Sequence, residues 1–212
     1  MLTNMSTGAR DGEKRTYRLG ARADAMEALA ARVVTTWNEL FQRRIYDEVT
    51  LNEVAARAGV SVPTITRHFG GKEGLALAGW RAGVERARDL RGGVAVGDVE
   101  GAVASLVAHY EELGDVIWGM LVEEHRLAGL REMTEMGRQL HGDWVTHTFA
   151  PMLEGLTPAV RKRRHAELVI ATDVYTWKLL RRDKGWSQAQ VAKTLVEMLN
   201  RLGQPQAVPP AT

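Results

Sequence analysis

The sequence predicts an all-α protein in which a small helix-turn-helix head precedes a larger helical domain. Apolar residues recur at helical spacing along most of the 212 residues, and no segment alternates apolar and polar residues as a half-buried strand would. Capping residues and helix breakers divide this pattern into about nine helices. The most specific local signals lie in residues 49–72, VTLNEVAARAGVSVPTITRHFGGK.

This segment has the signals of two short helices joined by a tight turn. Thr50 is a favoured N-cap residue, and Glu53 stands three positions later, where it can complete a capping box. Gly59 follows the last apolar residue of the first helix and can adopt the left-handed conformation that ends it. Ser61 caps the second helix, with Pro63 in its first turn. The spacing therefore predicts a helix-turn-helix for duplex DNA.

The segment resembles the DNA-binding motif of the TetR (tetracycline repressor) family of bacterial transcription regulators. The matching residues are Tyr46, Thr50, Val54, Ala55, Ala58, Gly59, Val60, Ser61, Thr64, His68, Phe69, Lys72 and Glu73. Three residues depart from the family pattern: Ile45 and Pro63 replace common glycines, and Thr66 replaces a frequent tyrosine. The resemblance implies an N-terminal DNA head, a dimer formed by the last two long helices, and an effector site in the C-terminal domain.

Nine residues of the motif are expected to contact DNA: Thr50, Ser61, Val62, Pro63, Thr64, Thr66, Arg67, His68 and Lys72. Their hydroxyl, imidazole and ammonium groups, with the helix N-termini, are suited to phosphates. The second helix presents a short mixed surface to the major groove, where Arg67 is the best candidate for a guanine or a phosphate. The predicted partner is a palindromic double-stranded operator.

Outside the motif the pattern predicts helices at about 19–44, 72–91, 98–113, 115–127, 130–154, 158–183 and 187–202. Gly114 is expected to separate two of them and Pro151 to kink another. The predicted domains are a flexible basic arm at 1–18, the DNA head at 19–71, the effector-binding and dimerisation domain at 72–203, and a disordered tail at 204–212.

The predicted helix at 158–183 is apolar on more than one side, so it must be covered on more than one side. One predicted stripe contains Leu168, Thr172, Tyr175 and Leu179. A second subunit would supply the cover, which predicts a homodimer. A central position in a monomeric bundle is the alternative.

Large aromatic side chains and methionines on the middle helices favour a small-molecule site. The candidate ligand-binding residues are Trp118, Met120, Met133, Trp144, His147, Tyr175 and Trp177. Such side chains suit a hydrophobic effector of low charge. Simple filling of the core is the alternative for each of them.

Composition excludes several classes of protein. The chain has no cysteine, so disulfides and thiolate chemistry are excluded, and no apolar run approaches the roughly 20 residues that span a bilayer. Residues 1–91 carry 15 Lys and Arg against 11 Asp and Glu, while the remainder carries 13 against 15. The basic part is the one with the DNA motif. The absence of a secretion signal predicts a cytoplasmic location.

No catalytic signature is found, so neither catalytic residues nor a cofactor is expected. Asp143 and His147 share a helix face, but one carboxylate–imidazole pair is half a metal site at best, so no metal is expected either. The sequence thus predicts a homodimeric transcriptional repressor released by an apolar effector. The alternatives are a DNA-binding regulator whose C-terminal domain only dimerises, and an all-helical enzyme or carrier.

Overall fold

The computed structural model describes residues 7–42, 44–125 and 128–204, with side chains from residue 24 onward except that of residue 128. Within these ranges the chain is helical, as predicted. The elements are α1 (Thr7–Phe41), a 3-10 turn (Tyr46–Glu48), α2 (Leu51–Ala58), α3 (Val62–Phe69), α4 (Lys72–Arg91), α5 (Val99–Glu123), α6 (Ala128–Thr148), a 3-10 turn (Ala150–Met152), α7 (Pro158–Thr172), α8 (Val174–Lys178), a π-turn (Leu179–Asp183) and α9 (Gln188–Gly203).

The helix-turn-helix has the predicted local geometry. The Thr50 hydroxyl accepts a hydrogen bond from the backbone N–H of Glu53, and the Ser61 hydroxyl accepts one from the N–H of Thr64. Gly59 ends α2 in the left-handed region with φ of 66°. A β-carbon in that conformation would be strained, so the turn between the helices depends on this glycine.

The first compact unit consists of the described residues up to 40 together with residues 49–79. Its core residues are Val33, Trp37, Leu40, Val49, Val54, Ala55, Ala58, Ile65, Leu75 and Ala76. Arg32 on α1 donates from Nε to the carbonyl of Ala58 at 3.0 Å, which satisfies a carbonyl at the end of α2. Gly79 of α4 lies directly against the Trp37 ring. The unit therefore extends past residue 71 to residue 79, because the first turns of α4 supply part of its core.

Helix α1 begins at Thr7, whereas the sequence pattern predicted a helix only from residue 19. Residues 7–18 of the expected arm therefore lie within α1. That stretch has no apolar stripe to signal a helix, yet it also has no proline and several good helix formers. Residues 1–6 of the arm, and residues 205–212 of the expected tail, lie outside the described residues.

The second unit consists of residues 41–48 and the described residues from 80 onward. Helix α5 is its centre and packs against α6, α8 and α9, while α7 packs against α6, α8 and α9. The apolar face of α9, Val191, Leu195 and Leu199, is fully buried in this core. Ser187 and Gln190 form a capping box at the start of α9.

Gly114 does not separate two helices, because α5 continues through it to Glu123. The Trp177 ring lies so close that a β-carbon at position 114 would be 2.5 Å from its Cζ3 atom. Trp177 is completely buried, and its indole N–H donates to Glu111 at 3.0 Å. The glycine is therefore a packing site for an aromatic ring and not a helix breaker.

The predicted helix at 158–183 is interrupted at Asp173, which is extended with φ of −74° and ψ of 153°. The Asp173 carboxylate caps the next helix by accepting from the N–H of Tyr175. This interruption changes the helical register, so the predicted stripe is wrong. Leu168 and Thr172 are buried as expected, but Tyr175 and Leu179 are exposed.

Another predicted helix, at 130–154, also ends early. Helix α6 stops at Thr148, and Pro151 lies in a separate 3-10 turn instead of kinking a continuous helix. Proline cannot donate the backbone hydrogen bond that would continue the helix. No helix in the described ranges has the length and hydropathy needed to cross a bilayer.

Replacing Gly114 with alanine should lower the free energy of unfolding by about 1–3 kcal/mol, because the added methyl group forces the Trp177 ring away. Gly137 in α6 is the matched control, since nothing lies within 4 Å of its β-carbon position. Gly137→Ala should instead stabilise by up to about 1 kcal/mol through helix propensity. Urea unfolding of both variants measures the contrast, and stabilisation by Gly114→Ala would refute the packing role.

Candidate functional site

Helix α3 presents one face to solvent and buries the opposite one. Ile65 is buried at 1% exposure, while Pro63, Thr66, Arg67 and His68 are exposed. This division follows from helical periodicity, since residue 65 faces the opposite side from residues 63 and 67. The exposed face carries a hydroxyl, a guanidinium and an imidazole, which are groups that can reach base edges and phosphates.

The remaining predicted DNA contacts surround the ends of the short helices. Val62 and Thr64 are half-buried on α3, and the Thr64 hydroxyl lies 2.8 Å from that of Ser61. Thr50 and Ser61 are exposed at the N-termini of α2 and α3, and Lys72 is the first residue of α4. All nine residues therefore lie in the first unit, on or next to the helix-turn-helix.

The capping hydroxyls keep the ability to contact an anion. Thr50 uses a lone pair of its oxygen to accept from the backbone, which leaves its O–H hydrogen available to a phosphate. Thr64 shares a hydrogen bond with Ser61, so the exposed Thr66, two residues farther along α3, is the less constrained hydroxyl. Within α3, Thr66 and Arg67 are thus the side chains best placed for base edges.

The seven predicted ligand-binding residues do not share one environment. Trp177, Met120 and Met133 are buried, Trp144 is half-buried, and His147 is exposed. The other two form an aromatic pair at the surface: Trp118 meets Tyr175 edge to face at 5.3 Å between ring centroids, and Tyr175 is 51% exposed. The residues therefore divide among the core, its edge and the outer face of the second unit.

Sequence reasoning missed a polar cluster inside the second unit, in which three residues are fully buried and three are half-buried. Its members come from the end of α4, from α5, α6 and α7, and from the link to α8; they are Arg91, His109, Tyr110, His141, Thr172 and Asp173. Single polar residues spread over five elements give no local pattern. The only available sign was that histidines interrupt otherwise apolar stripes.

One chain of hydrogen bonds links this cluster. The Arg91 Nη1 atom lies 3.3 Å from Nδ1 of His141, and His141 Nε2 lies 3.1 Å from the Thr172 hydroxyl. That hydroxyl lies 2.7 Å from the carbonyl of Leu168, to which it donates. His141 Nε2 must then be the protonated nitrogen, and Nδ1 accepts from the guanidinium. The Tyr110 hydroxyl donates to the Thr172 carbonyl at 3.0 Å.

Burial keeps both histidines neutral. It lowers the pKa of His109 to about 2 and the pKa of His141 to about 3, and the nearby Arg91 charge adds to both shifts. Burial also raises the pKa of Asp173 and lowers that of Arg91. The described residues contain no group of three or more His, Asp and Glu side chains that could hold a metal ion.

Comparison with known proteins agrees with this geometry. Residues 38–78 match the sequence model of the family described as bacterial regulatory proteins, tetR family. The fold is similar to that of a TetR-family transcriptional regulator from Streptomyces coelicolor, with a TM-score of 0.66 and 19% identity over 83% of this chain and 80% of that one. It is also similar to a transcriptional regulator of the TerR/AcrR family from Aquifex aeolicus VF5, with a TM-score of 0.61 and 16% identity over 82% of this chain and 99% of that one. No curated protein matches the chain in sequence.

The two buried histidines predict a stability that falls with acid. Their folded pKa values, about 2 and about 3, lie below the unfolded value, so the contribution is complete above about pH 6.5 and is lost as the pH falls toward the folded values. Each histidine should add about 1.4 kcal/mol per pH unit to the slope of unfolding free energy within that window.

Urea unfolding between pH 7.5 and 5 measures this slope. His141→Gln should reduce it by about one histidine's share, whereas His147→Gln, at an exposed position, should leave it unchanged. Equal slopes for the wild type and the His141 variant would contradict the neutral buried imidazole.

Proposed function

We propose that this chain, whose helix-turn-helix matches the tetR-family model, is a transcriptional regulator of that family, and that it represses transcription as a homodimer on a palindromic operator, which it leaves when a small molecule binds its second unit. The observation that carries the DNA-binding part is the exposed face of α3, with Thr66, Arg67 and His68 on a helix that two caps and a buried Ile65 hold in place. TetR-family regulators are in general not enzymes.

We assign the bases to α3 and the phosphates to the helix ends. Arg67 has a planar fork of donors, which suits the O6 and N7 atoms of a guanine. Thr50, Ser61 and Lys72 stand at or next to the N-termini of α2, α3 and α4, where backbone N–H groups attract phosphates. One short helix buries too little surface for tight binding, so a two-fold pair of heads is needed.

The second unit supports the dimer through an apolar surface that its own core leaves open. Ile170 is 65% exposed, Tyr175 51% and Leu179 49%, all on α7, α8 and the π-turn. Trp118 extends this surface through its contact with Tyr175. We call these four residues the α7–α8 surface. Large exposed apolar side chains grouped on neighbouring elements are typical of an interface between subunits.

We further propose that the effector is bound in the second unit and has a largely apolar body. The half-buried Trp144 supports this, because its ring lies at the edge of the core, where Phe149 and His141 contact it at centroid distances of 5.7 and 5.8 Å. A regulator whose second unit only dimerises is the competing function, and binding of a small molecule separates the two.

Arg67→Ala should weaken binding to an operator selected from random DNA by about 1–3 kcal/mol and have a smaller effect on random duplex. The reason is the loss of a bidentate base contact. Fluorescence anisotropy on both DNAs gives the ratio of affinities.

Lys72→Ala should weaken binding to both DNAs and reduce the slope of log affinity against log salt concentration by about one unit.

Arg57→Ala is the matched control for Arg67, because it removes the same charge from an exposed position on α2 outside the reading face. Its ratio of operator to random-DNA affinity should remain that of the wild type. An Arg67 variant with an unchanged ratio would remove α3 as the reader of the sequence.

Leu179→Glu should convert the dimer into a folded monomer, since an unpaired charge in an interface costs several kcal/mol while the exposed position tolerates it in the free subunit. Sedimentation velocity at micromolar concentration measures the association, and circular dichroism verifies the fold. Met136→Glu, 46% exposed on α6, is the control and should remain dimeric. Leu195→Glu should unfold the chain, because Leu195 is buried in the subunit's own core. A monomeric wild type would contradict the dimer.

A further inference from the structure

Arg91, the last residue of α4, carries a guanidinium whose Nε atom is buried and has no hydrogen-bond partner. Among the described residues no carboxylate lies within ion-pair distance of it. A buried charge without an ionic partner is costly and is rare in a folded protein. Its position therefore needs an explanation beyond packing.

The other atoms of the Arg91 guanidinium do make contacts. Nη1 donates to Nδ1 of His141 at 3.3 Å. The guanidinium carbon lies 4.7 Å from the centroid of the Trp144 ring and 5.6 Å from that of Tyr110. The Tyr110 side chain also interacts with the guanidinium as a hydrogen-bond acceptor, but neither it nor the Trp144 ring supplies an acceptor to Nε–H.

A second buried nitrogen in the same cluster also lacks a partner. His109 Nδ1 is inaccessible and unbonded, and the His109 ring stacks on Tyr110 at a centroid distance of 5.0 Å. His109 lies close enough to Arg91 for the guanidinium charge to lower its pKa. A neutral imidazole can carry its proton on Nδ1 and so donate a hydrogen bond. The cluster thus contains two buried nitrogens that an acceptor could satisfy.

Arg91 is the cation of the cluster, and no carboxylate of the cluster forms an ion pair with it. Both imidazoles are neutral for the reasons given above, and the Asp173 carboxylate acts on the guanidinium only through a longer-range electrostatic interaction. Arg91 remains protonated in spite of burial, because guanidinium does not lose its proton in proteins. A group with a single negative charge would give the guanidinium the ion-pair partner that the described residues do not supply.

We propose that Arg91 anchors the carboxylate of an organic monoanion, with His109 as a second donor and with Trp144 and Tyr110 as the walls for its apolar body. This proposal rests on the proposed effector site and specifies its chemistry: an aromatic or aliphatic monocarboxylate. A phosphate dianion would leave an uncompensated negative charge among buried residues, so the carboxylate is the better match for one guanidinium.

The test uses the full-length protein and a panel of probes: benzoate, phenylacetate, hexanoate and decanoate, each paired with its neutral amide at constant ionic strength. Thermal denaturation and titration calorimetry measure binding without DNA, so the result does not depend on operator recognition. At least one carboxylate should raise Tm progressively, with the logarithm of its concentration once that exceeds Kd, while its amide should not. Arg91→Gln should lower the affinity for that carboxylate by about 30-fold or more.

Arg86→Gln is the matched control, because Arg86 is an exposed arginine of the same helix, paired with Glu112 at 2.8 Å. Its affinity for the carboxylate should equal that of the wild type. Arg91→Met provides an independent readout without any ligand: removal of an uncompensated buried charge should leave Tm equal or higher.

Three results would overturn the proposal. These are no response to any carboxylate, equal responses to acids and amides, or a lowered Tm for unliganded Arg91→Met. Carboxylate binding that leaves operator affinity unchanged would support the site and contradict the regulatory function proposed above.

Discussion

The close approach of the Trp177 ring to Gly114 is the contact on which the second unit depends. The ring occupies the space where any residue other than glycine at position 114 would place its β-carbon, and the ring is fully buried there. Its indole N–H donates to Glu111, which also accepts a two-pronged contact from Arg181 at 2.8 and 3.1 Å. Trp177 therefore joins α8 to α5, and Glu111 joins both to the π-turn through Arg181. These contacts fix the positions of the elements around α5.

The interruption at Asp173 gives the chain two different surfaces from one apolar segment. Val174 and Trp177 turn into the core after the break, while Tyr175 and Leu179 turn outward. An uninterrupted helix would have aligned these residues differently. Because of the break, the Thr172 carbonyl accepts a hydrogen bond from the Tyr110 hydroxyl instead of from the helix backbone. This accounts for a buried polar contact beside Arg91. The exposed α7–α8 surface and the interior cluster thus share a single backbone feature.

The helix-turn-helix and the second unit are built by different physical means. The helix-turn-helix depends on caps and a left-handed glycine at two eight-residue helices, and these interactions reach no farther than five residues along the chain. The second unit depends on contacts between residues far apart in sequence, such as the 66-residue separation between Trp177 and Glu111. Helix α4 runs through both: it begins at Lys72 in the first unit and ends at Arg91 in the second.

The sequence alone determined the all-helical class, the helix-turn-helix at residues 50–69 and the exposed face of α3, because caps, periodicity and a turn glycine are local properties of the chain. Only the tertiary structure decided the role of Gly114, since a helical glycine can mark a break or admit a ring, and the ring is 63 positions away at Trp177. It likewise decided the register after Asp173 and the burial of Arg91. A side chain's environment is set by the elements packed around it, and the spacing of residues along one helix does not contain that information.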